Sequence, residues 1–128
     1  MYLKSVFGSV LFVLFFITGC AQHQPGQTIS LDEVLSRIEK NDTSFVVIDV
    51  RTEPELYGPL GKLENTIHIP LQDLSSRISE IEKYKEKEIA VICRTDNRSA
   101  VARDFLKQAG YNVKNVPGGM VLYQSKKN

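Results

Sequence analysis

Cysteine is scarce: the 128-residue chain holds two, Cys20 and Cys93. Two thiols so widely separated exclude a disulfide scaffold and a four-ligand zinc cluster. An excess of charge is missing too, with sixteen Lys and Arg against fifteen Asp and Glu. No electrostatic footprint for nucleic acid therefore stands out. The apolar run Val6–Ile17 falls short of the roughly 20 residues a membrane-spanning helix needs. No internal repeat occurs, and the one biased tract is a short Gln/Pro/Gly-rich stretch after Cys20. Length excludes multi-domain enzymes and large cofactor folds. What is left is one small domain that can bury a modest core without staples, preceded by something of a different character.

That front end reads as an address. Met1-Tyr2-Leu3-Lys4 supplies a short, weakly basic start, and the run to Ile17 has the length of a signal-peptide core. Ile17-Thr18-Gly19-Cys20 resembles the lipobox of bacterial lipoproteins, in which the cysteine is acylated and becomes the new N-terminus. An ordinary signal peptide and an uncleaved membrane anchor are the other readings of this segment. The resemblance implies a lipoprotein signal peptide over residues 1–19, lipidation of Cys20 and attachment to a membrane through more than one acyl chain. It places the protein in a bacterial cell envelope, facing the periplasm. Ala21 after the cysteine favours the outer membrane if the cell is Gram-negative. Residues 20–28 lack apolar periodicity and read as a flexible tether, so the folded domain is expected over 29–128.

From Ile29 the pattern alternates. Ser30 and Glu33 have capping-box spacing, and Leu31, Val34, Leu35 and Ile38 recur on one helical face. Phe45–Val50 and Ile89–Cys93 are continuous apolar runs, as expected of strands buried on both faces of a parallel sheet. Thr66–Pro70 and Val113–Val116 read as shorter strands. Leu71, Leu74, Ile78 and Ile81 predict a second amphipathic helix. Ala100–Ala109 predicts another, stopped by Gly110. The charged stretch Glu80–Glu88 reads as a solvated helix end and turn. Together these predict an α/β domain with a mostly parallel central sheet.

The chemistry is expected where the Ile89–Cys93 strand stops. Cys93-Arg94-Thr95-Asp96-Asn97-Arg98-Ser99 lies between a buried strand and a helix, and ligands of open parallel sheets bind at the carboxyl ends of strands. Such a loop directs free backbone N–H groups at its centre, and the helix dipole adds partial positive charge. Arg94 and Arg98 add two full charges. Electropositive surroundings of this kind favour the thiolate, which is the nucleophile. A lone buried cysteine is otherwise an inert small hydrophobe.

The loop resembles the active-site loop of rhodanese-domain sulfurtransferases: Cys93, four residues, Arg98, then a hydroxyl at Ser99. The resemblance extends to Val47-Ile48-Asp49-Val50-Arg51 followed by Glu53 and Glu55, to Ile67-His68-Ile69-Pro70, to Val91-Ile92-Cys93-Arg94 and to Pro117-Gly118-Gly119. It implies a rhodanese-like α/β fold, a compact, mostly parallel five-stranded sheet flanked by helices. It also implies a two-step transfer in which Cys93 takes a sulfane sulfur from thiosulfate or a persulfide and passes it to a thiophilic acceptor. Residues Arg94, Thr95, Asp96, Asn97 and Arg98 would bind the substrate, a small sulfur-containing anion or a low-molecular-weight or protein persulfide. Asp49 and Ser99 would support the loop, with Asp49 expected to pair with Arg98. No metal or organic cofactor is required by that chemistry.

Related phosphatases carry five residues between Cys and Arg; the four here suit one added sulfur better than a phosphate. Asp96 stands where the family commonly has glycine. Asp tolerates left-handed backbone, but its charge opposes Arg94 and favours a neutral or protein-bound persulfide over thiosulfate. Arg51 reads equally as a pocket residue or a solvated surface arginine. His23 and His68 are not spaced with Cys93 like a triad. Tyr57, Tyr84, Tyr111 and Tyr123 read as packing residues, with Tyr123 also placed to cover the pocket. The rival reading is a membrane-tethered binding or redox-sensing module that keeps the fold without turnover.

Overall fold

The computed structural model describes residues 26–128. Expectations about the apolar segment, Cys20 and His23 lie outside the described residues. Ser30 caps the first helix, α1 (Leu31–Glu39), by accepting from the Glu33 N–H at 3.1 Å. Leu31 and Val34 then turn inward. Strand β1 (Phe45–Asp49) leads into the single-turn α2 (Glu53–Leu56) and the two-residue β2 (Ile67–His68). Strand β3 (Glu88–Ile92) feeds α3 (Asn97–Gln108), and β4 (Asn112–Asn115) is followed by α4 (Gly119–Lys127).

The strands form one parallel sheet in the order β2-β1-β3-β4. Four strands, not five, are present among the described residues. Thr28 makes an isolated parallel bridge to Asn115, flanked by Ile29 N–H to the Asn115 carbonyl and Asn115 N–H to the Gln27 carbonyl, each 2.9 Å. The position beyond β4 is thus taken by a contact too short to count as a strand.

Side chains alternate across the sheet as period two requires. Ile48, Val50, Ile89, Val91 and Cys93 face one way, packing with Leu74, Ile81, Ala102 and Leu106. Phe45, Val47, Ala90 and Ile92 face the other, against Leu31, Val34, Val116 and Met120. Both layers are buried, which is why β1 and β3 read as unbroken apolar runs.

The expected helix over Leu71–Ile81 is instead two 3₁₀ segments, Leu71–Asp73 and Ile78–Tyr84. Leu71/Leu74 and Ile78/Ile81 are each three apart, the 3₁₀ period, and the Ser76 hydroxyl donates to the Asp73 carbonyl at 3.0 Å where an α-helix would continue. Glu88 does not belong to a solvated turn. It opens β3 and pairs with Arg37 and Lys114. Helix α3 begins at Asn97, so Asn97, Arg98 and Ser99 form its first turn rather than loop. Its stop is as predicted: Gly110 takes φ 90°, donating to the Lys107 carbonyl at 3.0 Å.

Candidate active site

Strand order reverses between β1 and β3, and at such a switch point a crevice opens beyond the carboxyl ends of the strands. Asp49 and Ile92 are register partners there, so Cys93 enters the crevice beside Val50 and Arg51. Cys93 is 1% exposed. Its Sγ lies 3.2 Å from Ser99 Oγ, whose hydroxyl also donates to the Asp96 carbonyl at 2.9 Å. A serine hydroxyl has one proton, so in this arrangement the thiol donates to Ser99; rotation of the hydroxyl would let it donate to a sulfur anion instead.

The loop's carbonyls are held from below by α4. Met120 N–H donates to the Cys93 carbonyl at 2.9 Å and Val121 N–H to the Arg94 carbonyl at 3.0 Å. A trans peptide sets N–H opposite its own C=O, so the Arg94 and Thr95 N–H groups are turned away from α4. Among the described residues, the N–H groups of Arg94, Thr95 and Asp96 donate to no protein acceptor, and Asp96 provides no side-chain cap for α3. The uncapped first turn of α3 adds its own N–H groups and dipole. This is an anion cradle built from backbone.

Gly119 makes the close approach of α4 feasible. A Cβ there would sit 2.4 Å from the Cys93 carbonyl oxygen and 2.8 Å from those of Arg94 and Thr95, and its φ is 51°. The sequence pointed to Pro117-Gly118-Gly119 but not to α4 behind it.

Arg98 does not pair with Asp49. Its guanidinium holds both oxygens of Glu55, each at 2.7 Å. Glu55 is available because it caps its own helix: its carboxylate also accepts from Thr52 N–H at 2.9 Å and Thr52 Oγ1 at 2.8 Å. Hydrogen bonding from Arg98, aided by Thr52 and opposed by burial, lowers the Glu55 pKa from 4.5 to about 2. The same bond raises that of Arg98.

Asp49 pairs with Arg51, two residues on and on the same face of the strand. Arg51 is neither a pocket lining nor a surface residue; it is fully buried. Its Nε lies 3.0 and 3.1 Å from the two Asp49 oxygens and its Nη2 2.7 Å from Oδ2. It also donates to the Gly61 carbonyl at 2.8 Å and the Glu55 carbonyl at 3.3 Å, while His68 Nε2 donates to the Arg51 carbonyl at 2.8 Å. Asp49 therefore supports the loop indirectly: Asp49 fixes Arg51, Arg51 fixes the backbone of α2, and α2 presents Glu55 to Arg98.

Asp96 sits at φ −153°, so no left-handed residue is demanded and aspartate is accommodated without strain. Its carboxylate is engaged by the Asn115 amide, away from any ion pair with Arg94. Asn115 is buried, and its own Oδ1 has no partner. Arg94, Thr95 and Asn97 are exposed at the mouth. Tyr57 is 76% exposed rather than packed, and Tyr123 lies against the α1–α4 layer with Lys127 over its ring at 4.6 Å. Among the described residues no group of three His, Cys, Asp or Glu converges to hold a metal ion.

Residues 30–126 match the family described as the rhodanese-like domain. The chain belongs to that family. It is 30% identical over 96 residues to a putative sulfurtransferase of Bacillus subtilis (strain 168), covering 75% of this chain and 88% of that one. It is 26% identical over 96 residues to a probable molybdopterin-synthase adenylyltransferase of Porphyra purpurea, of whose length it spans only 25%. The crystal structure of a rhodanese-related protein from Thermoplasma volcanium superposes with a TM-score of 0.66 at 32% identity, covering 80% of this chain and 93% of that one. The rhodanese-like fold expected from the sequence is therefore shown, with one strand fewer among the described residues, and relatives in this family carry the name sulfurtransferase.

Proposed function

We propose that this protein is a sulfurtransferase that carries a sulfane sulfur on Cys93. The observation that supports it most is the enclosure of one thiol: Cys93 Sγ is buried, 3.2 Å from a hydroxyl, under a loop whose unpaired N–H groups are turned away from the helix that holds its carbonyls. The thiolate attacks the outer sulfur of thiosulfate or a persulfide. The bond to the leaving sulfite or thiolate breaks with its electron pair, and a persulfide remains on Cys93. Cradle N–H groups and Ser99 stabilise the anionic sulfur by preorganised donation, and an acceptor thiol or cyanide then removes it. A four-residue interval between Cys93 and Arg98 favours one added sulfur over a tetrahedral phosphate.

The membrane attachment is part of the same proposal and rests on sequence alone: lipidation at Cys20 would hold the domain at the cell envelope, facing the periplasm. Turnover tests the chemistry. The full chain should release thiocyanate from thiosulfate or polysulfide and cyanide, and Cys93→Ser should abolish it; release by the serine variant would refute the role of Cys93. Fatty-acid labelling that persists in Cys20→Ser would refute the anchor.

A further inference from the structure

Among the described residues, three helices are preceded by Ser, Thr or Asp, the side chains that cap best, and the third of them makes no cap. Ser30 before α1 and Thr52 before α2 hold extended backbone, at ψ 150° and 154°, the usual N-cap conformation. Asp96 before α3 has ψ −42°, and its carboxylate makes no cap bond. Aspartate is among the strongest N-caps, and a carboxylate there also gains from the helix dipole. It is drawn off by β4 instead: Asp96 Oδ1 accepts from the Asn115 side-chain amide. Asn115 is 2% exposed, and it makes this bond while its own Oδ1 lies buried with no partner. An unpaired buried carbonyl is costly, and an apolar residue of similar size at that position would avoid it.

What the bond to Asn115 changes is the state of the cradle. An N-cap side chain takes the second or third N–H of its helix, which in α3 are those of Arg98 and Ser99. Ser99 is the residue whose hydroxyl lies 3.2 Å from Cys93 Sγ, so a capping carboxylate would bring its negative charge to the site of the reacting sulfur. We propose that Asn115 is a positioning residue for sulfur transfer: by holding the Asp96 carboxylate against β4 it keeps α3 uncapped, and the cradle stays open to the donor and to the anionic sulfur left on Cys93. Without Asn115, Asp96 turns to the extended backbone of the other two caps, takes the free N–H groups and competes with the incoming anion from within the chain. The inference rests on the sulfurtransferase reading and adds to it a residue of β4 that acts through Asp96.

Two measurements on the full chain test it in wild type, Asn115→Leu, Asp96→Ala and the double variant. One is sulfur uptake from thiosulfate or, if that loads no sulfur, polysulfide, followed by intact mass across donor concentrations. The other is amide hydrogen exchange at Arg98 and Ser99 by NMR. Asn115→Leu should raise the half-saturating donor concentration about tenfold, the worth of one charge-assisted contact, with a smaller change in the rate at saturation. It should also slow exchange at Arg98 or Ser99. Both effects should vanish when Asn115→Leu is made together with Asp96→Ala, because no carboxylate remains to move. An equal loss in both backgrounds, an unchanged half-saturation or unchanged exchange overturns this inference and leaves sulfur transfer standing. Asn115→Ala repeats the test without added bulk; if neither substitution folds, Asn115 is structural and the inference falls. If wild type gains no sulfur from either donor, the sulfurtransferase reading falls, and exchange alone decides whether Asn115 keeps α3 uncapped.

Discussion

The two ends of the sheet are both lined with charge, yet they use it differently. At the amino end, Arg37 bonds Asp42 and Glu88 and lies 4.1 Å over the Phe45 ring, while Lys114 takes the second oxygen of Glu88. Every group there is answered, and the result is a brace between α1, β3 and β4. At the carboxyl end, Asp49–Arg51 is buried outright and Glu55–Arg98 is half-buried, but Arg94 and the loop N–H groups are left open. A charge cluster that closes on itself holds a fold together. One that closes around an unpaired remainder, next to a buried thiol, is a site held ready for an anion.

The comparison breaks most sharply at the buried pair. Arg51→Ala leaves the buried Asp49 carboxylate with only the backbone N–H of residue 51 as a donor and should cost about 3–5 kcal/mol in urea unfolding. Arg37→Ala at the other end should cost about 1–2 kcal/mol, because its 22% exposed side chain and its partners retain water. Equal losses would remove the distinction between the two ends. Gly119→Ala comes next, at about 2–3 kcal/mol, because a Cβ would press on three loop carbonyls at a φ of 51°. Sulfur uptake should slow by tenfold or more as the loop shifts. Gly61→Ala, at φ 59° with open space, should cost only about 1 kcal/mol.

Glu55→Gln should cost about 1–2 kcal/mol at neutral pH. The sign follows from its depressed pKa. The contribution is fully present above the unfolded value of 4.5 and fades as pH falls toward about 2. Wild type and variant should thus converge in stability across that interval, and a gap that persists at its acid end would contradict the Glu55–Arg98 clamp. The smallest effect belongs to Lys126–Asp32, 42% and 72% exposed, where Asp32→Ala should change stability by less than about 0.5 kcal/mol.

Much of this was legible from residue order alone. Apolar runs announced β1 and β3, Ser30 and Gly110 marked helix ends, and the Cys93–Ser99 spacing located the loop. Pairing was less legible. Arg98 has several acidic residues within reach of the fold, and only three-dimensional register decides between Asp49 and Glu55. The signal for Glu55 was nonetheless present, since Thr52 and Glu55 have capping-box spacing around Pro54 at a helix start. Helix α4 was hidden because its N-cap Gly118 and its first residue Gly119 follow Pro117, and such residues are the usual marks of a turn. The absence of a fifth strand among the described residues and the two 3₁₀ segments reflect tertiary fit, which periodicity does not encode.

The most direct test of the central claim is the intact mass of the full chain after incubation with thiosulfate or polysulfide. A single added sulfur, removed by cyanide and never acquired by Cys93→Ser, is the predicted result. An unchanged mass with both donors, or an added sulfur that the serine variant still takes up, would contradict it.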